Sequence, residues 1–140
     1  MIGSTTMMTM RRHEKLIKRA VQVAHTSEYR WKHGAVVAKN NKVLGTAPNK
    51  FRNSPSIDEN NVSDHAERAA IRELLKVRSD LRGCTIYVAR ITSMGESTIS
   101  RPCNDCMKAI VESGIDEIVY TNENGGYSVE HIKWTRQPLI

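Results

Sequence analysis

The chain has 140 residues, of which 39% are hydrophobic and 26% charged, and this composition is that of one globular domain rather than two. No apolar run approaches the roughly 18 residues that span a membrane, and the N-terminus lacks a signal-peptide pattern, so we expect a cytoplasmic protein with reduced cysteines. The formal charge of +6 favours anionic partners such as nucleotides or nucleic acid.

The N-terminal part of the chain predicts a tail and one amphipathic helix. Residues 1–10 are expected to form a flexible tail, so that a single domain comprises residues 11–140. Between Arg11 and Thr26, apolar residues recur at the spacing of one buried helical stripe. The basic residues of this segment are expected on its solvated face, because no aromatic residues interleave with them as a nucleic-acid stacking surface requires.

A β-hairpin and a long polar loop are predicted next. The strand-like runs 34–39 and 42–47 flank a polar pair of asparagines, which is typical of a tight hairpin turn. Residues 48–63 are polar and contain two prolines. A loop of this length is usually either functional or disordered.

Strands and helices alternate through the rest of the chain. The predicted elements are a helix over 64–77, a strand over 84–91, a polar loop over 92–101, a helix over 102–113 ended by Gly114, a strand over 116–121 and a short helix over 127–134. This alternation predicts a sheet with helices packed on its faces.

The segment RPCNDC, residues 101–106, places two of the three cysteines three positions apart at the start of a predicted helix. Positions i and i+3 share a helix face, so Cys103 and Cys106 can bind one metal ion, although chance spacing and a redox pair are alternatives. His65 starts another predicted helix, and its imidazole would complete three protein ligands. Three ligands plus a water molecule are typical of catalytic zinc.

Glu67 lies two positions after His65, within reach of a water molecule at such a site. A structural alternative is that Asp64 and Glu67 form a capping box at the helix start. A structural zinc site in an interaction module is another alternative, although such sites usually have four protein ligands. The combined pattern H-x-E followed by P-C-x-x-C is the signature of zinc deaminases.

The chain resembles the cytidine and deoxycytidylate deaminase superfamily over residues 11–134. The resemblance is carried by HAERAAI, by RPCNDCMKAIVESGIDEIVY and by HGAVVAKNNKVLGTAPN, and the first two are most similar to the deoxycytidylate deaminase branch. It implies a three-layer α/β/α fold with a central mixed sheet of about five strands. It also implies that His65, Cys103 and Cys106 bind zinc and that Glu67 transfers protons.

The same resemblance implies several substrate contacts. Asn49 matches a residue that holds the sugar, and the backbone of Ala66 and the carbonyl of Arg101 match positions that contact the base. Lys50, Arg52 and Arg101 are candidate cations for a substrate phosphate.

The favoured reaction is hydrolytic deamination of a free pyrimidine nucleotide, with deoxycytidylate as the first candidate. A cytidine or deoxycytidine nucleoside, a transfer-RNA adenosine and a cytosine in single-stranded DNA or RNA are the alternatives. A homo-oligomer without membrane association is expected.

Overall fold

The computed structural model describes residues 2–51, 63–123 and 125–132. Within these ranges the chain forms three helices and eight strands. They are α1 (Ile2–His25), β1 (Lys32–Lys39), β2 (Lys42–Pro48), β3 (Lys50–Phe51), β4 (Ser63–Asp64), α2 (Ala66–Leu75), β5 (Thr85–Ile91), β6 (Ser97–Thr98), α3 (Asn104–Ser113), β7 (Glu117–Thr121) and β8 (Tyr127–His131). None of these helices has both the length and the apolar character needed to cross a bilayer.

Six of the described strands form one mixed sheet. The strand order is β2-β1-β5-β7-β8, and β6 pairs with β5 outside this path. Strands β5 and β7 are parallel, whereas the pairs β1–β2, β1–β5 and β7–β8 are antiparallel. The short strands β3 and β4 form a separate two-stranded ladder.

The sheet separates two hydrophobic layers, which confirms the three-layer α/β/α prediction. One layer joins α1 to the sheet through residues such as Leu16 and Ala20, which pack with Val36 and Tyr87. The other layer joins α2 and α3 to the opposite face. Helix α1 lies directly against the sheet at Gly34, where a Cβ atom would overlap the backbone of α1.

The first helix is longer than its apolar stripe predicts. We expected it to begin at Arg11 after a flexible tail, but α1 begins at Ile2 and includes residues 2–10. That boundary is therefore wrong. Once a helical turn has formed, each further residue adds a hydrogen bond at small cost, and no proline interrupts residues 2–10. This part of α1 gives no buried apolar stripe for the sequence pattern to reveal, since Met7, Met8 and Met10 are all exposed.

The predicted hairpin and the predicted C-terminal helix have different outcomes. The predicted hairpin is confirmed as β1 and β2, and Asn40 takes the left-handed conformation (φ 57°) that its tight turn requires. The predicted helix over 127–134 is wrong, because residues Tyr127–His131 form β8 at the sheet edge. Pairing with β7 supplies backbone hydrogen bonds that an isolated helix of this length could not retain in water.

Candidate metal and catalytic site

The starts of α2 and α3 bring three candidate metal ligands together. His65 directly precedes α2, Cys103 directly precedes α3, and Cys106 lies in the first turn of α3. The Nδ1 atom of His65 is 3.2 Å from the Cys106 sulfur and 3.7 Å from the Cys103 sulfur. A zinc ion held tetrahedrally, with bonds of about 2.0–2.3 Å, separates nitrogen from sulfur by about 3.6 Å. The three side chains therefore fit one zinc ion.

The backbone at both helix starts leaves these side chains free to bind a metal. His65 and Cys103 occupy the N-cap positions with extended backbone, and neither side chain caps its own helix. Asp64, which the capping-box interpretation placed at the N-cap, is instead the last residue of β4. That interpretation of Asp64 and Glu67 is wrong, because the two-residue ladder with β3 holds Asp64 one position before the cap.

A buried hydrogen-bond cluster fixes the loop that carries Cys103. The Ser100 hydroxyl donates to the Val88 carbonyl at 2.8 Å and lies 2.8 Å from the Thr121 hydroxyl. The Thr121 amide donates back to the Ser100 hydroxyl at 2.9 Å, and the Thr121 hydroxyl donates to the Thr98 carbonyl at 2.6 Å. These bonds tie the loop between β6 and α3 to the middle of β5 and the end of β7. Cys103 is thus placed by the sheet as well as by its helix.

Glu67 lies in the first turn of α2 and is 4% exposed. Its Oε1 atom is buried without a hydrogen-bond partner among the described residues. Burial raises the pKa of the Glu67 carboxyl, while its own backbone amide, the charge of His65 and a hydrogen bond from Cys106 oppose that increase. A buried carboxyl with one unpartnered oxygen and a raised pKa, next to the ligand cluster, is suited to exchanging protons with a substrate.

The Cys106 thiol lies in an environment that favours its protonated form. Burial, and then the Glu67 carboxylate, raise its pKa, so burial outweighs the lowering that a helix N-terminus gives a cysteine pKa. A divalent cation at the cluster reverses this balance, because a coordinating thiol is deprotonated. Cys103 is exposed and Cys106 buried, so the site opens to solvent on the Cys103 side.

Comparison with known proteins agrees with this geometry. A family model described as the cytidine and deoxycytidylate deaminase zinc-binding region matches residues 10–122. The chain belongs to this family. The predicted resemblance and the predicted zinc cofactor are therefore confirmed.

Two curated relatives of this deaminase domain differ in the substrate that they are named for. Human deoxycytidylate deaminase is 30% identical over 102 residues, which cover 63% of this chain and 51% of the human protein. A probable cytosine deaminase of Schizosaccharomyces pombe is 28% identical over 113 residues, which cover 77% of this chain and 60% of that protein. The chain thus spans little more than half the length of these relatives.

The fold of a phage deaminase is also similar. The dCMP deaminase from the cyanophage S-TIM5 in apo form is 26% identical with a TM-score of 0.63, and the match covers 79% of this chain and 82% of the phage chain. Its structure in complex with dCMP and dUMP matches with the same identity, a TM-score of 0.58, and coverage of 79% and 80%. These likenesses confirm the deaminase-like fold.

Asn49 is the residue that the family resemblance predicts to contact the sugar of a substrate. It is buried between β2 and β3. Its side-chain oxygen accepts hydrogen bonds from the Ser27 hydroxyl at 2.7 Å and from the His33 amide at 2.9 Å. Its Nδ2 atom donates to the Trp31 carbonyl. Asn49 therefore holds the segment that precedes β1. One N–H of the Asn49 side chain has no acceptor among the described residues.

The other predicted substrate contacts of the deaminase domain are only partly described. Lys50 is the ladder partner of Asp64, the residue before His65, and lines a cavity of about 430 Å³ together with Asn49. Ala66 is fully buried as the first residue of α2, where its N–H group has no acceptor within the helix. Arg52 lies outside the described residues.

Arg101, two residues before Cys103, is paired with a carboxylate. Its Nε–H donates to one oxygen of Glu130 at 2.8 Å, and its Nη2–H donates to the other at 3.1 Å. These hydrogen bonds lower the pKa of Glu130, so the pair is ionised at neutral pH. A substrate phosphate would have to compete with Glu130 for this guanidinium.

Three residues that shape the site were not predicted from the sequence: Ser100, Thr121 and Glu130. Ser100 was signalled only by its position directly before the Arg-Pro-Cys segment. Thr121 looked like an ordinary strand residue. Glu130 was hidden by the incorrect helix prediction for residues 127–134, because only a strand paired with β7 brings it to Arg101.

Proposed function

We propose that this chain is a zinc-dependent hydrolytic deaminase of free cytosine nucleotides, with deoxycytidylate favoured and the uracil nucleotide and ammonia as products. The observation that carries the proposal is the buried Glu67 carboxyl beside the convergent His65, Cys103 and Cys106. A structural zinc site has no need of an unpartnered buried acid, and such sites usually have four protein ligands. Among the described residues the cluster has three.

In this mechanism His65, Cys103 and Cys106 bind the zinc ion. Zinc, when bound, lowers the pKa of a water molecule to about 7 and so supplies a nucleophile at neutral pH. Glu67 accepts a proton from the attacking water and donates it to ring N3 as the oxygen adds at C4. Glu67 then passes the second proton of that water to the leaving amine, so that one water and one cytosine become one uracil and one ammonia.

The substrate proposal is supported by relatives rather than by bound molecules. The human relative and the phage deaminase are both named for deoxycytidylate, and the phage structure contains dCMP and dUMP. We propose that the remaining N–H of Asn49 contacts the sugar and that the Ala66 amide and the Arg101 carbonyl contact the base. Association of copies and a cytoplasmic location stay predictions.

A substrate panel tests this function. Zinc-loaded protein is incubated with deoxycytidylate, cytidylate, deoxycytidine, cytidine, cytosine, single-stranded DNA and transfer RNA, and ammonia release is measured. We expect deoxycytidylate to have the highest kcat/KM. If cytosine is the best substrate, the nucleotide proposal is wrong and the activity matches the name of the S. pombe relative instead.

The matched control in this panel is Glu67→Gln, which keeps the shape of the side chain and removes its basicity. We expect zinc content to be unchanged and kcat to fall by at least about 10²–10⁴-fold, the usual range for general acid–base catalysis. Activity that survives in this variant would refute the role of Glu67 and, with it, the proposed mechanism.

A further inference from the structure

Two arginines share one exposed indole at the start of β1. The guanidinium carbon of Arg90 lies 5.6 Å from the centroid of the Trp31 ring, and that of Arg30 lies 5.5 Å from it. Trp31 is 52% exposed. Within the described part of the chain, neither guanidinium has a carboxylate partner. Among the described residues, the cluster therefore carries two positive charges that no carboxylate offsets.

The strand register places Arg90 on the face of the sheet that carries the metal ligands. Arg90 is the ladder partner of His33 in the antiparallel pair of β5 and β1. Alternate residues of these strands, such as Ala35 and Val88, pack beneath α2 and α3, so His33 and Arg90 lie on that same face. Burial, and then the charges of Arg90 and His65, lower the pKa of His33 to about 4. Arg90, His33 and His65 thus lie within electrostatic range of one another.

Arg101, another arginine near the site, is less available to an anion. Arg101 donates two hydrogen bonds to Glu130, and a phosphate can reach this guanidinium only by displacing that carboxylate. Arg90 needs no displacement of a described acidic partner.

We propose that Arg90, with Arg30 on the same Trp31 indole, forms a binding subsite for the phosphate of the nucleotide substrate. This assignment rests on the proposed function, because it concerns the phosphate of the same cytosine nucleotide. An arginine held against an aromatic ring keeps N–H groups free to donate in pairs to phosphate oxygens. A phosphate near both guanidiniums also offsets their mutual repulsion.

Inorganic phosphate tests the subsite without turnover. It is titrated into zinc-loaded protein at constant ionic strength, with binding measured by calorimetry and by the fluorescence of Trp31. The chain has two tryptophans, so Trp31→Phe identifies the fluorescence signal. We expect Arg90→Gln to weaken phosphate binding at least about 10-fold, the loss of one charge-assisted hydrogen bond. Phosphate that binds wild type and Arg90→Gln equally would overturn the proposal.

The matched control is Arg82→Gln, because Arg82 is an exposed arginine just before β5, whereas Arg90 lies near the end of that strand. We expect this variant to bind phosphate as wild type does. Weakening of equal size in Arg82→Gln and Arg90→Gln would show a general charge effect and would count against a defined subsite.

Kinetic discrimination provides the second test. In Arg90→Gln the ratio of kcat/KM for deoxycytidylate to that for deoxycytidine is expected to fall about 10- to 150-fold, and Arg90→Lys should restore part of it. Equal losses on both substrates would mean that Arg90 supports the fold, which overturns the subsite.

The two proposals fail in different ways. Phosphate binding that depends on Arg90, in a protein that deaminates none of the panel, would support the subsite and refute the proposed function. Deamination of single-stranded DNA in preference to every monophosphate would overturn the assignment of the subsite to a free nucleotide. A steep fall of affinity with salt would accompany that outcome, because many phosphate contacts are then released together.

Discussion

Two buried ionisable side chains have opposite roles at the residue scale. Glu67 keeps one oxygen without a described partner, which costs stability and leaves the carboxyl available for proton transfer. His13, on the other side of the sheet, is satisfied by its neighbours. Its Nδ1 atom lies 2.8 Å from the Tyr87 hydroxyl, and its Nε2 atom lies 3.5 Å from a Glu117 oxygen. His13 therefore acts as a structural residue that holds α1 to β5 and β7.

The burial of His13 predicts that stability falls on acidification. Burial lowers the pKa of His13 by more than Glu117 raises it. The folded pKa is then below the unfolded value of about 6.5, so the unfolded chain takes up the proton more readily and stability is lost below about pH 6.5. Urea unfolding between about pH 7 and about pH 5 measures this loss.

His13→Gln should remove part of that pH dependence. His25→Gln is the matched control, since His25 is an exposed histidine at the end of the same helix. Equal slopes of unfolding free energy against pH in wild type and His13→Gln would show that His13 is not a source of the pH dependence.

At the scale of elements, the loop between β6 and α3 decides where Cys103 lies. Ser100 and Thr121 tie that loop to the middle of β5 and the end of β7. Ser100→Ala removes the hydroxyl and leaves the Thr121 amide without its buried acceptor. We expect a loss of about 1–3 kcal/mol in unfolding free energy and weaker zinc binding. Urea unfolding and competition with a zinc chelator measure the two effects.

The control for this element is Ser97→Ala. Ser97 lies in β6, is half-buried, and its hydroxyl makes no hydrogen bond to the described residues. It should change neither stability nor zinc affinity. If Ser100→Ala behaves as Ser97→Ala does, the hydrogen-bond cluster does not place the metal site.

Elements with strong local patterns were predictable from the sequence. The apolar stripe of α1, the β-branched run of β5 and the proline and glycine around α3 each identify an element without its neighbours. Strand β8 was missed because its five residues have no local signal strong enough to oppose a helix, and pairing with β7 decides their conformation. The metal ligands were predicted because residue type and spacing suffice. The Arg101–Glu130 pair and the Trp31 cluster were missed, because both depend on strand register.

At the scale of the whole molecule, α1 and the sheet meet backbone to backbone. Gly34 allows this contact, since any side chain there would overlap the Ala20 carbonyl and the Ala24 amide. We expect Gly34→Ala to cost about 1–3 kcal/mol or more, because the neighbours are rigid helix backbone. Thermal melting of this variant measures the cost.

Gly126→Ala is the comparison for Gly34→Ala. An added Cβ at Gly126 would lie 3.5 Å from the nearest atoms, those of the Asn122 side chain, which is an ordinary contact. This variant should melt near the wild-type temperature. A Gly34→Ala protein as stable as Gly126→Ala would show that α1 can shift away from the sheet.

The distance along the chain between the metal ligands has a kinetic consequence. His65 and Cys103 are 38 residues apart in sequence, and they meet only when α2 and α3 have packed on the same face of the sheet. Interactions that form after the folding transition state change the unfolding rate and leave the folding rate unchanged. Zinc should therefore slow unfolding strongly and leave refolding at its metal-free rate.

Stopped-flow measurements in urea, with zinc and with chelator, test this expectation. In a plot of the logarithm of rate against urea concentration, the two refolding arms should coincide and the two unfolding arms should separate. Refolding accelerated by zinc would instead mean that the metal joins these segments before the sheet does.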